Sequence, residues 1–90
     1  MGEQIKMLNI APQTSNQLKV RDLFQAALLE ARGVPRIGIE RDGRTVLFLF
    51  NKTPLSVSLC QDFLTGTAEV NAKKFCDAFQ DLKRVIFTAS

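Results

Sequence analysis

Arg32, Arg36, Arg41 and Arg44 stand close together in the chain, and the basic pairs Lys73-Lys74 and Lys83-Arg84 follow later. Guanidinium groups gathered on one face recognise phosphates or carboxylates. Two readings follow: the backbone of a nucleic acid, or the charged rim of an interface with an acidic protein. Glu40 and Asp42 interrupt the arginine cluster, and the formal net charge of the 90 residues is only +3. Phosphate binding needs several unopposed charges. A protein partner is therefore the expectation, and nucleic-acid binding through Arg32–Arg44, with Lys73, Lys74, Lys83 and Arg84, is the alternative.

The carboxylates offer less. Asp22 and Glu30 fall in the first half of the chain, and Asp62, Glu69, Asp77 and Asp81 in the second. Asp77 and Asp81 share a helix face at i, i+4, a spacing that solvated helix charges adopt as readily as an acid–base pair. With no His, neither a Ser-His-Asp nor a Cys-His nucleophile can be assembled. Cys60 and Cys76 are too few for a zinc centre or a disulfide scaffold, and each is expected as a buried thiol beside Leu59 or Phe75. No Gly-Lys-Ser/Thr phosphate loop occurs. With no Trp or Tyr, base stacking would fall to the seven Phe residues. The sequence therefore points away from an enzyme, with no metal and no cofactor expected.

These residues must be positioned by a small set of elements. Ile5–Ile10 alternates loosely and predicts a first strand, followed by a turn-rich connection through Pro12. Val20, Phe24, Ala27, Leu28 and Ala31 recur at helical spacing, predicting a helix over Gln17–Arg32 that Gly33 and Pro35 end. Arg36–Arg41, Asp42-Gly43 and Arg44–Phe50 together predict a hairpin. Its second strand is apolar on both faces, Val46, Phe48 and Phe50 against Leu47 and Leu49, which belongs at a sheet centre covered above and below. Thr53 and Pro54 start a second helix that ends near Gly66. Asn71 caps a third, carrying Phe75, Phe79 and Leu82. Arg84–Ala89 closes the chain as a last strand.

Leu59-x-x-x-Phe63-x-x-Gly66, following an apolar strand and a Ser-containing turn, resembles the STAS-like domain families. The similarity covers about half of the chain. It implies a small cytosolic interaction module, some members of which are switched by phosphorylation of a Ser at the helix start. Ser56 and Ser58 occupy the nearest positions here, whereas the acidic residue and the paired Ser or Gly of that pattern are missing.

The expected fold class is α+β: a single small domain over 1–90, with an about four-stranded sheet and two to three helices. The order is β-α-β-β-α-(α)-β, that of the ferredoxin-like motif. More apolar sheet surface is expected than one helical layer hides. The expected function is a non-catalytic protein–protein interaction module in the cytoplasm, forming a homodimer or docking as an adaptor or inhibitor on a larger partner. Small bacterial or phage inhibitor proteins fit this description. No apolar run is long enough to span a membrane. The residues expected at the partner are Arg32, Arg36, Ile37, Ile39, Arg41, Arg44, Phe48 and Phe50.

Overall fold

A computed structural model describes residues 16–89. They form strand β1 (Gln17–Val20), helix α1 (Leu23–Ala31), strands β2 (Arg36–Asp42) and β3 (Thr45–Asn51), and helices α2 (Pro54–Thr65) and α3 (Ala72–Ala89). The three strands make one antiparallel sheet in the order β1-β3-β2. Because β1 and β2 both run antiparallel to β3, they are parallel to each other, and α1 crosses between them over the central strand. This is a split β-α-β unit. The fold is thus a small α+β domain with three strands and three helices among the described residues, one strand short of expectation.

Two boundaries differ from the sequence reading, and the predicted strand Ile5–Ile10 lies outside the described residues. The helix expected over 17–32 begins only at Leu23, because Gln17–Val20 pairs with β3 and places Leu18 and Val20 opposite Phe50 and Phe48. Asp22 supplies the true cap: its carboxylate accepts hydrogen bonds from the Phe24 and Gln25 amides at 2.8 and 3.1 Å. The expected closing strand Arg84–Ala89 is instead the last part of α3. Phe75, Phe79, Leu82, Val85 and Ile86 continue one three-and-four spacing and all pack on the core. A short apolar run suits either geometry, and here the helical face already built upstream decides.

The remaining starts and stops follow local chemistry. Gly33 takes φ +91° after α1, and its amide donates to the Glu30 carbonyl at 3.0 Å. Thr53 caps α2 by accepting from the Ser56 amide, with Pro54 in the first turn, and Gly66 ends it at φ +78°. Asn71 accepts from the Lys74 amide at 3.0 Å and caps α3. In the hairpin Asp42 pairs directly with Thr45, so Gly43 and Arg44 are the two turn residues. Gly43 alone has positive φ (+65°), the pattern of a type II′ turn.

The core lies between the sheet and the helices. Phe48 and Phe50 project from β3 onto α1, α2 and α3, among Ala26, Ala27, Leu29, Leu59 and Leu82. The opposite sheet face carries the half-buried Leu47 and Leu49. Across it Lys19 of β1 reaches Glu40 of β2 at 3.1 Å, and these residues sit in register with Leu49 and Leu47. The aliphatic stem of Lys19 can lie on leucine while its ammonium stays in water. One helical layer and an ion pair therefore replace the two-sided cover expected for β3.

Candidate interaction surface

The residues singled out from the sequence divide into three groups. Phe48 and Phe50 are 1% and 0% exposed. They cannot meet a partner, which corrects their placement at an interface. Their in-register neighbours on the helix side are Val20 and Leu18, so alternation turns both rings into this chain's own core.

Arg32 and Arg36 are occupied within the fold. Arg32 donates from Nη1 to the Glu69 carbonyl at 2.7 Å, tying the end of α1 to the segment before α3. Arg36 pairs with Glu30 at 3.0 Å, both side chains partly buried. Burial raises the Glu30 carboxyl above the ordinary 4.5, against the lowering effect of Arg36, and Asp81 adds to the rise. This pair joins the first residue of β2 to α1.

Ile37, Ile39, Arg41 and Arg44 remain outward. Ile37 and Ile39 are 46% and 42% exposed on β2, which is an edge of the sheet among the described strands. Ile37 is the extra residue of an irregularity between Arg36 and Gly38 and has no partner on β3. Arg41 lies just before the hairpin end and Arg44 is the second turn residue; both are exposed, with no ion pair among the described residues. The surface is therefore a strand edge with two isoleucines and, at its far end, two unopposed guanidinium groups.

The remaining basic residues do not extend it as an unopposed charged face. Lys73 pairs with Asp77 at 3.2 Å and Arg84 with Asp81 at 2.6 Å, while Lys83 lies 5.6 Å from the centroid of the Phe79 ring. Asp77 and Asp81 border an open cleft of about 400 Å³ with Glu30, Lys74 and Gly33. Each of its three carboxylates has a cationic partner: Glu30 has Arg36, Asp77 has Lys73 and Asp81 has Arg84. No group of residues able to hold a metal occurs among the described residues. No described helix is long and apolar enough to cross a membrane.

Three further features complete the comparison with the sequence. Cys76 is exposed rather than buried, and Cys60 is only partly buried. Ser56 is 0% exposed. Its Oγ accepts from the Thr53 amide at 2.8 Å and donates toward the Asn51 and Thr53 carbonyls. A hydroxyl so engaged is a structural cap, whereas Ser58 is exposed. Phe24, 54% exposed, stacks on Phe79 at 5.0 Å, with Phe75 next in line at 6.3 Å. The pairing of α1 with α3 brings these rings together, and no spacing within one element reveals it.

The family model described as a domain of unknown function, DUF5659, matches residues 15–88. No curated protein and no solved structure matches the chain. None of these comparisons links it to a STAS-like protein.

Proposed function

The chain belongs to the DUF5659 family, and we propose that it is a non-catalytic protein-interaction module whose contact surface is the β2 edge and the adjoining turn. The observation that carries this reading is the exposure of Ile37 and Ile39 on an edge strand. An edge presents unpaired amides and carbonyls, and apolar side chains beside them favour an added strand from another polypeptide. Arg41 and Arg44 give the end of that surface a preference for acidic neighbours. The same arginines suit phosphate, but two free guanidinium groups beside Asp42 and Glu40 make a weak phosphate track.

The test is site-specific photo-crosslinking in cells that make the full chain. A photoreactive residue at position 39 should yield discrete protein adducts, and the same residue at Gln61, on the exposed part of α2, should yield none. Adducts absent from position 39, or equally abundant at both positions, would overturn the reading. Retention on random DNA or RNA at low salt, lost on Arg41→Glu, would replace it with the nucleic-acid alternative.

A further inference from the structure

We infer that the partner of the β2 edge is an extended segment of another protein whose acidic side chains stand in the same alternation phase as its apolar ones. This rests on the interaction reading above and names the chemistry of the partner. The two sides of β2 carry different free charge, and that difference selects the occupant.

Side chains opposed across antiparallel strands share a face of the sheet. Arg36, Ile39 and Arg41 lie opposite Phe50, Phe48 and Val46, which pack on the core, so they stand on the helix side. Arg36 is bonded to Glu30 of α1 at 3.0 Å, and both charges are spent within the fold. Arg41 has no ion pair among the described residues, so the helix side of the edge presents Ile39 and then a free guanidinium. Arg44, in the turn, adds a second one just past the strand. The open side is the reverse. Gly38, Glu40 and Asp42 lie opposite Leu49, Leu47 and Thr45. Glu40 is bonded to Lys19 at 3.1 Å, which leaves the Asp42 carboxylate as the free charge on that side.

An added strand alternates in the same way, its successive side chains falling on the two sides in turn. The residue beside Ile39 gains by being apolar. The residue two places along, beside Arg41, gains by being acidic. The residue between them falls on the open side, with Glu40 and Asp42, where a carboxylate is repelled. Acid is therefore favoured in phase with the apolar residues and disfavoured one place out of phase. A second copy of β2 brings Arg36, Ile39 and Arg41 to the helix side and no carboxylate, so it does not supply this pattern.

The experiment titrates the purified full chain with two end-blocked peptides of one composition and follows the β2 amides by NMR. The in-phase probe is Asp-Thr-Val-Thr-Val-Thr-Asp, which reads alike in parallel and antiparallel alignment. In the out-of-phase probe, Thr-Asp-Val-Thr-Val-Asp-Thr, each Asp has moved by one place. The in-phase probe should bind at least ~3-fold more tightly, and Arg41→Glu should abolish or invert the difference. The wild-type comparison needs no variant, so it decides even if Arg41→Glu fails to fold. Equal affinities, a preference that survives Arg41→Glu, or no shift with either probe up to ~5 mM overturns the inference. Amide shifts that follow chain concentration and neither probe would put a second copy on the edge and overturn it as well. Discrete crosslinks from position 39 alongside any of these results would leave the interaction reading standing. Their absence too would overturn both.

Discussion

Strands β2 and β3 are neighbours of equal length in one sheet, yet their apolar residues meet opposite fates. Phe48 and Phe50 of β3 are closed off from water, while Ile37 and Ile39 of β2 remain nearly half exposed. The difference is one of place. β3 has a strand on each side and three helices over one face, so its alternation leads into a finished core. Among the described residues β2 has a strand on one side only, and the helices that cover Phe48 leave Ile39, its in-register neighbour, largely open. Apolar residues at a sheet centre are explained by the chain that carries them. Apolar residues at an edge are what the proposed partner would cover.

The sharpest way to break this contrast is to truncate one residue from each strand. Phe50→Ala removes a fully buried ring and should destabilise the fold by ~3–5 kcal/mol. Ile39→Ala, at concentrations where the chain is monomeric, should cost less than ~1 kcal/mol. Urea unfolding measures both, and unchanged m-values would show that the comparison is of stability alone. Equal losses would mean that the edge is already covered within the monomer, and the argument for an added strand would fail.

The next effect is smaller and tests how β3 is joined to the helix after it. Ser56 sits beneath the β3–α2 junction, its hydroxyl shared between the carbonyl of Asn51, the last residue of β3, and that of Thr53. Ser56→Ala leaves the Thr53 amide without its side-chain acceptor and the Asn51 carbonyl without its donor. The expected loss is ~1–2 kcal/mol. Ser58→Ala, on the exposed side of the same helix, should lie within ~0.5 kcal/mol of the wild type. If the two variants unfold alike, Ser56 is not holding the junction.

How much of this was legible depends on whether a residue's fate is set locally. The hairpin, the Thr53-Pro54 start, the Gly66 stop and the Asn71 cap follow from neighbours within a few positions, and all four occur. Asp22 was read inside the first helix rather than as its cap, because Val20 fits the helical spacing of Phe24 and Ala27 and drew the helix back across β1. The closing segment failed for the converse reason: Val85, Ile86 and Phe87 read as a strand until Leu82 and Phe79 are seen to share their spacing. Ile37 and Ile39, expected at a partner, are exposed on the strand. Phe48 and Phe50 were not separable from them, since only the number of flanking strands tells an edge from a centre. The commitments of Arg32 to Glu69 and of Arg36 to Glu30 need the folded chain, because they join segments that no local rule brings together.

The smallest expected effect concerns the anchor between the open edge and the core. Glu30 holds Arg36, the first residue of β2, and burial raises its carboxyl above 4.5 in the folded chain. A raised carboxylate means that the folded state keeps the proton longer than the unfolded chain does. Stability therefore falls as pH rises from about 4.5 through the folded value, and the penalty is constant above it. Glu30→Gln removes that titration, so the variant's thermal midpoint should lose this falling limb while the wild type's retains it. Because burial outweighs Arg36 in setting the direction, the neutral amide should be tolerated at neutral pH rather than unfold the chain. An identical pH slope in both proteins would show that Glu30 is more solvated than its neighbours imply.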